Sequence, residues 1–335
     1  MNRHLALLAD IGGTHARFGL ADTRQPAPLI NTSIRQFEVA RFASLVDAAH
    51  HYLHQAQATS GPVEQGVFAV AGRVDGDNAS VTNHPWHISR TETQAALGLG
   101  HLRLVNDFAA QAMAVNLLTD TDLASIGGLR RKPGGRSHHT YAVLGPGTGL
   151  GVSALIVRNG ESHVLETEGG HISFAPTTAE EALILERLSM QFGRVSNERL
   201  ISGSGLVNIH RALAGFSDQA GSALLPHEVS AGAARGDADC RNAVDVFCAV
   251  FGSIAGDLVL TLGAWDGVFL TGGLVPKLLD ALHASQFRAR FEAKGRFSPA
   301  MAGVPTLAVL HPQAGLLGAA AFAMQDASHT GIART

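Results

Sequence analysis

The sequence has few of the residues that mark several large classes of protein. Its 335 residues include two cysteines, and only 6% are aromatic and 16% charged, against 46% hydrophobic residues. With so few aromatic side chains, the core must be built mainly from Leu, Val, Ile and Ala. A chain of this length and polarity is sufficient for one large or two ordinary α/β domains with real cores.

Low charge and short apolar runs exclude two kinds of partner. The formal net charge is −3, and the one basic run, residues 130–136, is broken by proline and glycine. This pattern predicts an exposed loop rather than a nucleic-acid-binding face. The N-terminal apolar run stops at Asp10, too short for a secretion signal, and no stretch reaches the ~20 apolar residues of a membrane span. We therefore expect a cytoplasmic protein that binds neither nucleic acid nor membranes.

The two cysteines predict free thiols. Cys240 and Cys248 lie in a stretch with helical spacing of apolar residues, which separates them by about 12 Å along the helix axis. A disulfide requires α-carbons within about 7 Å of each other, so the pair does not form an intramolecular bridge. Free thiols agree with a cytoplasmic location.

The apolar pattern predicts alternating strands and helices. Strands are predicted at residues 4–9, 17–21, 30–39, 66–71, 102–105, 141–144, 152–157, 267–270 and 306–310. Helices are predicted at 42–58, 179–192, from 275 and at 314–324, and one long helix or a helix pair at 237–262. The polar tail from residue 326 is predicted to fray. A strand–glycine turn–strand unit occurs in each half of the chain, a weak internal repeat that indicates two related lobes sharing a cleft.

The first glycine turn, Asp10-Ile11-Gly12-Gly13-Thr14, has the residues of an anion site. Glycine permits close approach and positive φ, so successive backbone N–H groups can point at a phosphate. Asp10 beside a phosphate would be repulsive without a cation, which predicts Mg²⁺ held through water. An ordinary Gly-Gly hairpin is the alternative.

Two further glycine turns strengthen the phosphate interpretation. Gly145, Gly147, Gly149 and Gly151 alternate around Thr148, and a third turn follows at Thr271-Gly272-Gly273. The turn of residues 145–151 matches neither the P-loop nor the G-x-G-x-x-G fingerprint. Three turns whose backbone can come close to a ligand nevertheless fit a nucleotide held between two lobes.

Asp107 is the candidate catalytic base. It follows the strand predicted at residues 102–105 and precedes a helical pattern, so capping that helix is the alternative role. The neighbouring Asn106 has an amide that can both donate to and accept from a polyol.

A second polar cluster is Glu168-Gly169-Gly170-His171. Its glycines permit a sharp turn that presents both side chains to vicinal hydroxyls. A zinc site is the alternative, although no cysteine or H-E-x-x-H pairing accompanies it. Glu198 is predicted to open another helix, where an acidic residue is also favoured by the helix dipole alone.

Together these motifs resemble the bacterial glucokinases of the hexokinase/actin-like ATPase superfamily, over nearly the whole chain. The matching stretches are residues 10–14, 82–86, 105–108, 145–151, 168–171, 198–203, 271–276 and 315–318. Each is modest alone, but their order and spacing are specific. His15 replaces the Asn usual after Gly-Gly-Thr, and the absence of a cysteine-rich zinc motif separates the chain from the related ROK (repressor, open reading frame, kinase) family.

The resemblance implies a fold and a reaction. The fold is an α/β two-lobed actin-like ATPase (ribonuclease H-like) fold, with a cleft between a small domain (residues 1–117 and 312–335) and a large domain (residues 118–311). The reaction is phosphorylation of the glucose 6-hydroxyl by ATP and Mg²⁺, with Asp107 as general base, in an enzyme that forms a homodimer. The alternatives are a kinase for another hexose and, from a different class, a non-catalytic sugar-sensing protein on the same scaffold.

The resemblance also implies the residues of each site. The sugar would contact Asn106, Asp107, Glu168, His171 and Glu198. ATP would contact Ala9, Asp10, Ile11, Gly12, Gly13, Thr14, Gly147, Thr148, Gly149, Gly272 and Gly273, with Asp10 also holding Mg²⁺ through water.

Overall fold

The computed structural model describes residues 4–60, 62–82, 84–131, 138–215 and 224–329, without the side chains of residues 57–60. The chain forms two compact units: Met1–Thr119 with His311–Thr335 (unit 1) and Asp120–Leu310 (unit 2). Most of the basic run at 130–136, one residue of the 82–86 stretch and the last six residues of the predicted frayed tail lie outside the described residues.

Unit 1 is built on a five-stranded mixed sheet of β1 (Leu5–Ile11), β2 (His15–Asp22), β3 (Leu29–Glu38), β4 (Val63–Val70) and β8 (His101–Asn106). The order is β3-β2-β1-β4-β8. Strands β1, β2 and β3 form an antiparallel meander, whereas β1, β4 and β8 are parallel. A small antiparallel sheet holds β5 (Val74–Asp75), β6 (Asn78–Ser80) and β7 (His87–Ser89). The predicted hairpin and strands of this region are confirmed.

In the described residues of unit 1, the α-helices are α1 (Leu45–Ser60), α2 (Arg90–Ala96), α3 (Asp107–Ala114) and α11 (Ala314–His329). Side chains alternate along β1, so its two faces are covered by different helices. Leu7, Ala9 and Ile11 share a core cluster with Tyr52 of α1. The intervening Asp10 faces α11, because a β-carbon at Gly315 would lie 2.8 Å from its carboxylate.

Helices α3 and α11 touch backbone to backbone. A β-carbon at Gly318 would lie 1.7 Å from the carbonyl oxygen of Ala110. Only glycine permits such an approach, so Gly318 fixes how closely α11 packs against the helix that begins with Asp107.

Unit 2 contains a six-stranded sheet of β9 (Leu123–Ile126), β10 (His138–Pro146), β11 (Leu150–Arg158), β12 (Glu161–Thr167), β13 (Gly267–Leu270) and β14 (Thr306–Val309), in the order β12-β11-β10-β13-β14-β9. Strands β10, β11 and β12 form an antiparallel meander, and β10, β13 and β14 are parallel. In each main sheet, therefore, the first strand of the hairpin also pairs in parallel with a later strand, and that strand pairs in parallel with another. This shared topology confirms the internal repeat.

The helices of unit 2 are α4 (Ala179–Phe192), α5 (Gly203–Leu213), α6 (Pro226–Arg235), α7 (Ala238–Leu262), α8 (Leu279–Ala284), α9 (Phe287–Glu292) and α10 (Ser298–Met301). Among the described residues, α7 is the one helix long and apolar enough to span a membrane. It is instead the central core helix of unit 2, since 78% of its most apolar window is buried. Cys240 and Cys248 are free and buried on it, as predicted.

The helix predicted from residue 275 begins as a 3-10 helix at Pro276–Leu278, with Val275 as its N-cap, and continues directly into α8. One predicted helix boundary is wrong. Helix α11 continues to His329, past the point where fraying was predicted. It continues because Asp326 lies 2.8 Å from the guanidinium of Arg103 on β8, a long-range ion pair that no local pattern reveals.

Candidate active site

In unit 1, the first glycine turn and Asp107 leave the same edge of the sheet. Ile11 of β1 is paired with Val70 of β4, and Val70 is paired with Asn106 of β8. These are the carboxyl ends of three parallel strands, so the turn and Asp107 are two strand spacings apart, about 10 Å. Ligands of open parallel sheets bind at such an edge.

Asn106, and not Asp107, caps α3. The Asn106 side-chain oxygen accepts hydrogen bonds from the backbone N–H groups of Phe108 (2.8 Å) and Ala109 (3.3 Å), and its amide donates to Gly72 O at 3.0 Å. The capping role considered for Asp107 is therefore filled by its neighbour. Asp107 is the half-buried first residue of the helix.

Asp10 lies beside the first glycine turn under opposing influences. Burial raises the pKa of its carboxyl group above the ordinary value, and the Arg17 guanidinium, 3.4 Å away, offsets only part of that rise. The turn is closed by a hydrogen bond from Gly12 N–H to His15 O at 2.9 Å. Thr14 at its tip is exposed, and Gly12 and Gly13 before it are partly exposed.

In unit 2, the second glycine turn joins β10 to β11 and is fixed by Glu198. The Glu198 Oε2 atom accepts a hydrogen bond from Leu150 N–H at 3.0 Å. A β-carbon at Gly149 would lie 2.4 Å from that oxygen, so glycine leaves the carboxylate room to occupy this position. Glu198 lies in the first turn of a 3-10 helix, Asn197–Arg199, so the helix that it was predicted to open is a short one. The α-helix α5 begins after it and is capped by Ser202.

The Glu168–His171 segment forms the predicted sharp turn. Gly169–His171 is a 3-10 turn, and a β-carbon at Gly170 would lie 2.0 Å from Leu150 O. The side chains of Glu168 and His171 are 80% and 56% exposed, with His171 Nε2 4.0 Å from Glu168 Oε2. In the part of the chain that the structure describes, no group of three or more His, Cys, Asp or Glu residues could hold a metal, so the zinc alternative has no support.

Backbone pairing brings this segment next to Glu198. Ser173 forms an isolated antiparallel bridge with Ser196, and Asn197 N–H donates to Ile172 O at 2.8 Å. Because both segments also contact Leu150, the side chains of Glu168, His171 and Glu198 belong to one region of unit 2.

The second and third glycine turns are adjacent. Parallel pairing of β10 with β13 places Thr271 beside Gly145, where a β-carbon would lie 2.3 Å from Thr271 O. Gly272 has a φ of +86° and packs against Pro146 O. By contrast, the β-carbon positions of Gly147 and Gly273 face open space. The two turns thus lie side by side within unit 2, with open space beside Gly147 and Gly273.

The sequence interpretation missed two residues of unit 1. Arg17 is the cross-strand partner of Asp10, a position that the hairpin register fixes. Gly315 contacts the Asp10 carboxylate from more than 300 positions away in the chain. Arg17 could have been predicted from the sequence by pairing the two strands of the hairpin. Gly315 could not, because its position depends on tertiary packing.

The structure thus has the fold of the actin-like ATPase class of sugar kinases. A solved ROK-family glucokinase from Streptomyces griseus, described in complex with glucose and AMPPNP, has a TM-score of 0.62 at 22% identity, covering 96% of this chain and 99% of that one. A glucokinase from an Antarctic psychrotroph has a TM-score of 0.83 at 33% identity, covering 97% and 100%.

The sequence comparisons are more specific than the fold. The glucokinase family model matches residues 7–326. A glucokinase of Stenotrophomonas maltophilia (strain K279a) is 62% identical over 323 residues, 96% of each chain. The chain belongs to the glucokinase family.

Proposed function

We propose that this chain transfers the γ-phosphoryl group of ATP to the 6-hydroxyl of D-glucose, giving glucose 6-phosphate and ADP. The observation that carries the proposal is the position of Asp107, at the sheet edge that also bears the first glycine turn, in a chain matched by the glucokinase family model. A sugar-sensing protein without activity would be expected to lack such a carboxylate.

Asp107 acts as the general base in this proposal. Its carboxylate accepts the proton of the 6-hydroxyl as that oxygen forms a bond to the γ-phosphorus, and the bond from phosphorus to the bridging oxygen of ADP breaks. Phosphoryl transfer needs little covalent chemistry from a protein, so the remaining residues position the reactants and balance charge. The cap by Asn106 supports this role because it fixes the backbone from which Asp107 projects.

The glycine turns would hold the nucleotide. Backbone N–H groups of residues 12–14 and 147–149 would donate to phosphate oxygens, and Gly272 and Gly273 would contact the adenosine. The open β-carbon positions at Gly147 and Gly273 support this assignment. Bound Mg²⁺ would neutralise phosphate charge; a single carboxylate, Asp10, suits an ion that keeps most of its waters.

The sugar would be held by Asn106, Asp107, Glu168, His171 and Glu198. Of the Asn106 amide, one N–H remains after the bonds to Gly72, Phe108 and Ala109, so we expect it to donate rather than accept. Glu168 and His171 are exposed and can reorient around vicinal hydroxyls.

The proposal also includes the domain arrangement, the assembly and the location of the enzyme. Unit 1 and unit 2 would be the small and large lobes of the enzyme, with the sugar in a cleft between them whose closure excludes water. We further propose a homodimer that acts in the cytoplasm, the assembly and location that the family resemblance implies.

A hexose panel tests the activity. The purified full chain is assayed for ADP release with ATP, Mg²⁺ and glucose, mannose, fructose or glucosamine as acceptor. We expect the highest kcat/KM with glucose. Equal or higher kcat/KM with another hexose would establish the alternative kinase, and glucose binding without ADP release would establish the sugar-sensing protein.

A further inference from the structure

A cavity of about 170 Å³ lies within unit 2, beside the segments that carry the candidate sugar residues. One wall is the segment of residues 172–175, which follows His171, together with Asn197, which precedes Glu198. The opposite wall is α7, through Val250, Ser253, Ile254 and residues up to Thr261. Ile172 at the mouth is 53% exposed, so the cavity opens to solvent on that side.

Two buried polar side chains line this cavity without protein partners. Asn197 and Ser253 are each 8% exposed, and both belong to the lining. The described part of the chain provides no hydrogen bond to the Asn197 amide or to the Ser253 hydroxyl, whose residues bond only through their backbones. Neither side chain is among the described polar atoms that are sealed from solvent without a partner, so both can be reached by a ligand or by ordered water that enters the cavity.

The charged residues of the lining are already neutralised. Arg290 binds Glu181 through two nitrogens, at 2.7 and 3.2 Å, and Lys294 lies 2.7 Å from Asp257. Each pair cancels its own charge, so the cavity offers no net charge to an ion. Hydrogen-bonding capacity is left at Asn197 and Ser253, on otherwise apolar walls formed by Val250, Ile254 and Leu258.

The volume of the cavity limits the size of its ligand. An apolar cavity of about 150 Å³ in another protein admits benzene, so 170 Å³ accommodates a ring of that size with one substituent. We propose that this cavity is a second ligand site, which takes a small neutral molecule with an apolar body about the size of benzene and one hydroxyl group. The hydroxyl is bound by Asn197 and Ser253, and the body lies against α7.

The test uses 4-fluorophenol, observed by ¹⁹F NMR during titration with the full chain, and fluorobenzene as the hydroxyl-free comparison. We expect saturable binding of 4-fluorophenol and affinity for fluorobenzene lower by about three- to tenfold, the effect of one lost net hydrogen bond. Because binding is measured directly, the result is independent of whether the chain phosphorylates glucose.

Two variants locate the binding. Ser253→Ala removes the hydroxyl and retains the cavity, so 4-fluorophenol affinity should fall several-fold and fluorobenzene affinity should not change. Ser253→Leu fills the cavity and should abolish binding of both. Ser189→Leu, the same replacement on α4 outside the cavity lining, is the matched control and should bind as the unmodified chain does; circular dichroism confirms that each variant is folded.

Three outcomes would overturn the proposal. No saturable binding would mean that the cavity holds water only. Equal affinity for both probes would remove the role of Asn197 and Ser253. Undiminished binding by folded Ser253→Leu, or by Ser253→Ala with unchanged preference for the phenol, would place the probe elsewhere.

Discussion

The carboxylate of Glu198 accepts a hydrogen bond from the backbone N–H of Leu150 at 3.0 Å. Leu150 ends the second glycine turn, and the loop of Glu168 and His171 packs on the same residue. One acidic side chain thus connects the turn proposed to hold phosphate with the segment proposed to hold sugar. A substitution in either segment should therefore also affect ligand binding by the other.

We expect Gly149→Ala to raise the KM for glucose, although Gly149 lies in the proposed nucleotide turn. The new β-carbon would lie 2.4 Å from Glu198 Oε2 and displace that carboxylate. Gly147→Ala is the matched control, since its β-carbon position is open, and its effect on glucose KM should be smaller. Steady-state kinetics with varied glucose measure both; equal glucose KM values would contradict the connection through Glu198.

Asp107→Asn should lower kcat by about 10²–10⁴-fold, the range for loss of a general base. Because the amide has nearly the shape of the carboxylate, glucose affinity should change little. Isothermal titration with glucose and single-turnover kinetics separate the two quantities. Turnover close to that of the unmodified chain would show that another group accepts the proton.

Asn106→Ala should destabilise the protein by about 1 kcal/mol, as loss of a helix N-cap does, and should also lower kcat by moving Asp107. Asn106→Ser restores an N-cap oxygen and should recover most of the stability. Denaturant unfolding gives the free energy of unfolding for each. If Asn106→Ala unfolds at the same denaturant concentration as the unmodified chain, the side-chain bonds to Phe108 and Ala109 do not stabilise α3.

Gly315→Ala should raise the KM for MgATP several-fold and leave that for glucose unchanged. Its β-carbon would lie 2.8 Å from the Asp10 carboxylate and force it to move. Gly303→Ala is the control, since its nearest neighbour, Ala300 O, is 3.4 Å away. Initial rates at varied MgATP give this KM, and an unaltered KM would contradict the assignment of Asp10 to the nucleotide site.

The two thiols should resist alkylation in the native protein. Burial raises the pKa of Cys248 to about 12 and, with a hydrogen bond to Asp237, that of Cys240 to about 11. Iodoacetamide with mass spectrometry should modify neither at pH 8, and both after unfolding.

The same shifts predict a pH dependence of stability. Since the folded pKa values exceed the ordinary thiol value of 9.0, the thiols favour folding fully below about pH 9, and this contribution is lost as pH rises through the folded values. The free energy of unfolding of Cys248→Ala should therefore fall less between pH 8 and pH 10 than that of the unmodified chain. Parallel curves for the two proteins would contradict the raised pKa.

Local patterns predicted most of the strands and long helices correctly. The helices at Ala179–Phe192 and Ala238–Leu262 follow from apolar spacing and from the N-caps Thr178 and Asp237. The hairpins follow from apolar runs on both sides of glycine. These features are set by residues close together in the chain, which is what a sequence pattern records.

What could not be predicted depends on contacts between distant residues. The end of α11 is held by Arg103, and the contact of Gly315 with Asp10 arises only in the folded unit. Asn and Asp are nearly equally favoured as N-caps, so the sequence does not show which of Asn106 and Asp107 takes that position. In the structure the helix begins at Asp107, which makes Asn106 the cap. Likewise, the bond between Glu198 and Leu150 joins segments whose pairing no periodicity reveals.

The contact between Gly318 and Ala110 also concerns the order in which the protein folds during synthesis. Unit 1 is assembled from residues near both ends of the chain, whereas unit 2 is continuous. The surface of α3 that receives α11 must therefore stay uncovered while the ribosome makes the intervening segment, and unit 2 can acquire its core first. Pulse proteolysis of stalled nascent chains would show protection of unit 2 before residues 314–329 emerge, and of unit 1 only afterwards.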